Sequence, residues 1–229
     1  MKLLISTVLT LAAFPALGFA ATVSPVFTSH SYNSTDAQGT QMYRAELTGL
    51  GLTEIGSIKL TDSNSGSGGS TGIYSGFDLD AIFLDVDGSL ATADDRTYAS
   101  GYLFSAGAIR PGAYVPPSPS GGPTNGASSA TTIDNGWATL NDIDAVWFSA
   151  GSLTLGDGGA LTAVFAPTID VLSSLYLFVG EVSGDPGETV SGLIEVSDTV
   201  PAVPLPATGL LLLGALGVFG LRRKQRTQM

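Results

Sequence analysis

Between residues 21 and 202 the apolar positions fall into short runs separated by clusters of Gly, Asn, Asp and Ser. The runs 43–47, 56–60, 77–86, 145–148, 161–165, 172–182 and 191–196 are rich in Val, Ile, Phe, Tyr and Thr, the composition of half-buried strands. No stretch sustains a helical period over three turns. Short strands with turn signals between them predict an all-β fold, a single β-sandwich of jelly-roll or Ig-like type spanning 21–202. Residues 111–136 interrupt the pattern with Pro116-Pro117-Ser118-Pro119 and Ser120-Gly121-Gly122-Pro123. That composition predicts a flexible Pro/Gly-rich loop inside one domain, because two half-domains without disulfides would each be small for independent stability.

One strand carries a phase error. Apolar residues occupy Phe77, Leu79 and Ala81, then Ile82, Leu84 and Val86, so the alternation flips at Ala81-Ile82 and predicts a β-bulge there. With the bulge, Asp78, Asp80, Asp85 and Asp87 share a face, and Gly88 and Asp94-Asp95 follow directly. Like charges so close call for a counter-ion, and oxygen donors without His or Cys suit calcium. Against the calcium-loop template, Asp85, Asp87, Gly88 and Asp94 take the third, fifth, sixth and twelfth places, while Phe83 occupies the first and no helices flank the loop. Asp85, Asp87 and Asp94 are therefore the candidate calcium ligands, with a solvated acidic surface as the alternative. The segment 78–84 also matches 142–148 in residue class at all seven positions, which predicts two equivalent central strands with Phe83 and Trp147 as core aromatics.

The two ends read differently. Residues 1–20 have a basic start at Lys2, an apolar stretch and Gly18-Phe19-Ala20 as a small-x-small cleavage site, the pattern of a secretory signal peptide removed by signal peptidase. At the other end Val203, Pro204, Leu205, Pro206 and Ala207 lead into the apolar stretch 209–221, and Arg222, Arg223, Lys224 and Arg226 close the chain. Counted from Val203 to Leu221, 19 residues span about 28 Å as a helix, close to a hydrocarbon core of about 30 Å. Pro204 and Pro206 fall near the helix start, where a missing N–H costs least. The four leucines at 210–213 leave no polar face, and the basic cluster acts as a stop-transfer signal on the cytoplasmic side. Residues 203–229 are thus expected to form a transmembrane helix with a basic tail.

This tripartite tail resembles the VPLPA type of C-terminal sorting domain, one of the PEP-CTERM signals of Gram-negative bacteria. The resemblance covers 203–226 only. It implies an inner-membrane intermediate, an exosortase-type protease as partner, and release of the ectodomain to the cell surface or extracellular matrix. Leu205-Pro206-Ala207-Thr208-Gly209 also fits the LPxTG signal of Gram-positive sortases, cut between Thr208 and Gly209. Val203-Pro204 upstream, and a single lysine, Lys59, between residues 21 and 202, favour the first reading.

Composition narrows the chemistry. Of 229 residues, 20 are acidic and 9 basic, and between 21 and 202 only Arg44, Lys59, Arg96 and Arg110 oppose all 20 acids, a net charge of −16. Such a field repels phosphate backbones and argues against a nucleic-acid partner. The absence of cysteine removes disulfides, thiolate metal sites and cysteine nucleophiles, and a lone histidine, His30, removes most imidazole clusters. Gly68-Gly69-Ser70-Thr71-Gly72 satisfies the G-x-S-x-G pattern but lies in a Gly/Ser loop, and His30 precedes Ser70. A carboxylate pair for glycan hydrolysis is not singled out by any spacing. The expected function is an exported, non-catalytic surface or matrix protein of structural role. The alternatives are a calcium-assisted module binding extracellular polysaccharide through the Asp cluster and Trp137, Tyr98 and Tyr102, and, third, a secreted hydrolase.

Overall fold

The computed structural model describes residues 21–24, 26–31, 39–66, 70–112, 121–145, 150–171, 174–182 and 193–201. Among these residues the chain forms strands and one 3₁₀ turn at Gly72–Tyr74, and no helix is long and apolar enough to cross a membrane. The signal peptide expected at 1–20 and the sorting tail expected at 203–229 lie outside the described residues.

Strands are numbered β1 to β13 in chain order. One antiparallel sheet has the order β1 (Thr22–Val23), β13 (Leu193–Ser197), β4 (Glu54–Thr61), β11 (Ala160–Asp170) and β7 (Gly101–Ser105). The other has the order β10 (Leu153–Thr154), β5 (Asp78–Asp85), β12 (Tyr176–Val182), β3 (Thr40–Glu46) and β2 (Thr28–Ser31), with β6 (Thr97–Tyr98) also paired to β5. A separate hairpin joins β8 (Ala127–Ser129) to β9 (Thr132–Ile133). Neighbours such as β13, β4 and β11 are distant in sequence, so the chain crosses between sheets repeatedly.

The two sheets share one core, the arrangement of a β-sandwich. Ile58, Leu60, Leu161, Ala163, Ile194 and Val196 from the first sheet join Leu79, Ile82, Leu84, Leu177 and Val179 from the second in a single buried cluster. Full burial of each large aliphatic side chain contributes about 1.5 to 3 kcal/mol.

The second sheet is covered on its other side as well. Met42, Ala81, Phe83 and Phe178 form a smaller buried cluster with Leu90 and Ile143, which come from the segments between strands. All eight residues of β5 are buried in consequence, including Asp78, Asp80 and Asp85.

Six of the seven runs expected as strands overlap β3, β4, β5, β11, β12 and β13. The bulge is present too: Val179 faces Ile82 and Glu181 faces Leu79, so β5 carries one extra residue, at Asp80-Ala81, opposite Gly180. The expected second central strand is not formed where it can be followed. Residues 142–145 are irregular, and 146–149 lie outside the described residues.

The segment 111–136, expected as a flexible loop, can be followed at both of its ends. Its centre, 113–120, lies outside the described residues, but Thr124, Asn125 and Ala127 are buried. Asn125 ties three segments together: its backbone N–H donates to the Ile73 carbonyl, its carbonyl accepts from the Thr154 N–H, and its amide donates to Ser152 and accepts from the Trp137 indole N–H. Polar satisfaction, which composition does not report, replaces apolar burial here.

Candidate functional site

β5 runs out of the second sheet at Asp85 and the chain turns back through 86–96 to reach β6. Three features pin this loop to the sheet. Leu90 enters the cluster formed by Met42, Phe83 and Phe178. The Arg96 guanidinium lies 4.7 Å over the Phe83 ring, and its Nη2 donates to the Leu90 carbonyl at 3.1 Å. Arg44, from β3, donates Nη1–H to the Gly88 carbonyl at 2.8 Å and places its guanidinium 5.2 Å over the Tyr176 ring. Gly88 has φ of +70°, and a Cβ there would stand 2.9 Å from the Tyr176 ring, so both conformation and space require glycine.

The turn brings three carboxylates together. Asp85, Asp87 and Asp95 each offer an oxygen within 4.8 Å of the others. Asp85 is fully buried, Asp95 half-buried and Asp87 exposed. Each uses one oxygen to shape the loop: Asp85 Oδ1 accepts from the Gly88 N–H at 2.6 Å, Asp87 Oδ1 from the Ser89 N–H at 2.7 Å, and Asp95 Oδ2 from the Asp87 N–H at 3.1 Å. The remaining oxygens are poorly served. Asp85 Oδ2 and Asp95 Oδ1 are buried and receive no hydrogen bond from an N–H or a hydroxyl, and Asp87 Oδ2 has only the Thr92 hydroxyl at 3.4 Å. Lys59–Glu195 and Arg110–Asp157 form ion pairs, and neither touches this cluster. Burial pushes the Asp85 carboxyl above the ordinary carboxylate range; the Gly88 N–H opposes this, and the charge of Asp95, a hydrogen bond with the Asp87 carboxyl and the Asp87 charge add to it.

Of the residues expected from spacing, Asp85 and Asp87 converge and Asp94 does not. Asp94 is exposed in the turn and Asp95 takes its place. A calcium-loop count presumes flanking helices, whereas here a strand leads in and the clamp of Arg96 on Phe83 turns residue 95 inward. Asp78 and Asp80 lie elsewhere on β5. The Asp78 carboxylate accepts from the Thr154 hydroxyl across the β10 pairing, and Asp80 Oδ2 accepts from the Thr40 hydroxyl at 2.6 Å. Arg44, Arg96 and Asp95 are the site residues that spacing missed. Arg44 and Arg96 are half of the four basic residues between 21 and 202, and that scarcity was the signal available.

The aromatics expected as glycan platforms divide. Tyr98 packs edge-on against Phe83, and Trp137 is committed to Asn125. Tyr102 instead lines a cleft of about 650 Å³ with Phe104, Asn135, Asn141, Asp142 and Asp144, and its hydroxyl donates to Asn141 Oδ1 at 2.7 Å. Burial raises the Tyr102 phenol to about 12. Ser70, the G-x-S-x-G serine, is exposed and leads into a three-residue 3₁₀ turn, where a nucleophile elbow requires a strand before the serine and a helix after it.

Comparison with known proteins adds no relative: no family model matches the chain, and no curated protein or solved structure matches it.

Proposed function

We propose that this chain is an exported, non-catalytic β-sandwich, of jelly-roll or Ig-like kind, that serves as a structural component of the cell surface or extracellular matrix. The observation that carries this reading is the tripartite tail, Val203-Pro204-Leu205-Pro206-Ala207 followed by an apolar stretch and Arg222, Arg223, Lys224 and Arg226. The architecture supports it. Two sheets with a common core and a third layer of polar-bonded loops give a durable module without cysteine, and a net charge of −16 between residues 21 and 202 keeps such a module soluble outside the cell. Signal peptidase and an exosortase-type protease are the processing partners in this reading, with the membrane as an intermediate station.

Mass spectrometry of the mature protein from its native host tests the proposal at both ends. The chain is expected to begin near Ala21 and to lack residues 209–229. An intact C-terminus on all surface-exposed protein overturns processing and leaves a membrane anchor. A C-terminus at Thr208 linked to peptidoglycan replaces the exosortase with a sortase.

A second reading, a polysaccharide-binding module, is favoured by the cleft beside Tyr102, whose lining among the described residues holds amides, hydroxyls and carboxylates and no Lys, Arg or His. Native gels containing dextran, laminarin or xylan decide between the readings. Retardation that is lost in Asn141→Ala moves the conclusion to this module, and unaltered migration in all three leaves the structural role.

A further inference from the structure

The geometry points to a calcium ion held by Asp85, Asp87 and Asp95 at the end of β5, fastening the 86–96 loop to the second sheet. Clustering of acids alone does not require this, since an acidic protein of this charge has many. The second observation is burial without a donor: Asp85 is fully buried, and its Oδ2, like Asp95 Oδ1, is shielded from solvent and receives no hydrogen bond from an N–H or a hydroxyl, while the Asp87 carboxyl stands beside it. A charged carboxylate oxygen desolvated in that state is strongly disfavoured until a cation meets it or a proton neutralises it. The nearby cations do not meet it. Arg44 is engaged with Gly88 and Tyr176, and Arg96 with Leu90 and Phe83.

The donor set is all oxygen, which selects a hard cation. The spacing fits calcium, because two oxygens each about 2.4 Å from one ion stand at most about 4.8 Å apart, the separation within which these three lie. Three carboxylates supply fewer than the six to eight oxygens calcium takes, so water and backbone carbonyls complete the shell. That ligand count places the affinity in the weak class, with a dissociation constant of about 10⁻⁴ to 10⁻³ M. The inference does not rest on the export reading and can fail separately from it.

Thermal unfolding of the full chain gives the test. About 10 mM calcium is expected to multiply the folded-to-unfolded ratio by roughly 10 to 100, raising Tm by about 3 to 10 °C. Magnesium at equal ionic strength controls for general screening and is expected to give less than half that shift. Asp87→Asn removes an exposed ligand without disturbing the core and is expected to erase most of the calcium excess. Asp94→Asn removes an equal charge from the adjacent position and is expected to retain it. Equal shifts from both ions, or a calcium excess that survives Asp87→Asn, overturns the site and leaves a solvated acidic surface. Calorimetric titration of the unaltered chain reads the same question without a variant: one saturable calcium site per chain supports the inference, and none overturns it.

Discussion

Replacing Phe83 by alanine is expected to destabilise the protein by about 3 to 5 kcal/mol, equivalent to a fall in Tm of about 6 to 20 °C for a domain of this size. Phe83 is fully buried at the centre of the outer cluster. Its ring stacks on Phe178 with centroids 5.4 Å apart, meets Tyr98 edge-on at 5.9 Å, and carries the Arg96 guanidinium on its face. Truncation removes the transfer energy of a large side chain, leaves a cavity and cancels two aromatic contacts worth about 0.5 to 1.5 kcal/mol each. It also releases Arg96, and with it the loop that presents Asp95. Urea unfolding of Phe83→Ala, Phe83→Leu and Arg96→Ala checks the argument. The leucine variant is expected to lose less than half as much as the alanine variant, and Arg96→Ala about 0.5 to 2 kcal/mol, the range of a partly buried cation–π contact. A loss under 1 kcal/mol in Phe83→Ala would mean that the outer layer contributes little and that the inter-sheet core alone holds β5.

The position of Phe83 shows where sequence reading works and where it stops. The flip in alternation at Ala81-Ile82 is a covalent fact about residue order, and a strand with one buried face resolves it only by a bulge; the extra residue at Asp80-Ala81 follows. That the opposite face is also buried was not legible. Its cover comes from Leu90, an apolar residue within an Asp-rich segment that reads as a loop, and from Ile143, in a segment that reads as a strand of its own. The similarity between 78–84 and 142–148 misled for a related reason. Its described residues, 142–145, serve the first segment instead of repeating it: the Asp144 and Ala145 N–H groups both donate to Asp80 Oδ1. Residue class alone cannot distinguish a second copy of a strand from a segment that caps it.

The candidate cation site was half legible for the same physical reason. Asp85, Asp87 and Gly88 lie within one turn, so local spacing determines their proximity. The third carboxylate depends on how the loop returns, and that is set by Arg96 on Phe83 and Arg44 on Gly88. Choosing Asp95 over Asp94 therefore required tertiary information. Two of the four arginine and lysine side chains of the domain hold backbone and rings and leave the carboxylates unneutralised, which charge counting does not anticipate.

Asp80 provides the sharpest test of how this acidic fold tolerates its own charge. Its carboxylate is fully buried in β5, with Oδ2 accepting from Thr40 on β3 and Oδ1 from the Asp144 and Ala145 N–H groups. Gly180 lies between them on β12; a Cβ there would stand 3.1 Å from the Thr40 methyl and 2.8 Å from Met42 Sδ. The three hydrogen bonds favour the charged form, yet burial outweighs them and, with a smaller push from Asp144, lifts the carboxyl to about 6. The sign follows from proton counting. Between pH 3.8 and about 6 the folded protein holds a proton that the unfolded chain has released, so stability falls as pH rises through that window. The loss amounts to about 3 kcal/mol and persists at neutral pH. Asp80→Asn mimics the protonated acid: its carbonyl oxygen can accept from Asp144 and Ala145, and its amide can donate to the Thr40 hydroxyl. This variant is expected to be more stable than the parent at pH 7, by up to about 3 kcal/mol, with no difference at pH 4. Asp80→Ala leaves the Thr40 hydroxyl, the buried Ala145 N–H and the half-buried Asp144 N–H unpaired and is expected to lose about 2 to 4 kcal/mol at pH 4. Urea unfolding of the three proteins from pH 4 to 7.5 measures this directly, and the difference between Asn variant and parent cancels the general repulsion among the other acids. A parallel pH profile for the two would show that Asp80 is charged throughout and that its hydrogen bonds outweigh its burial.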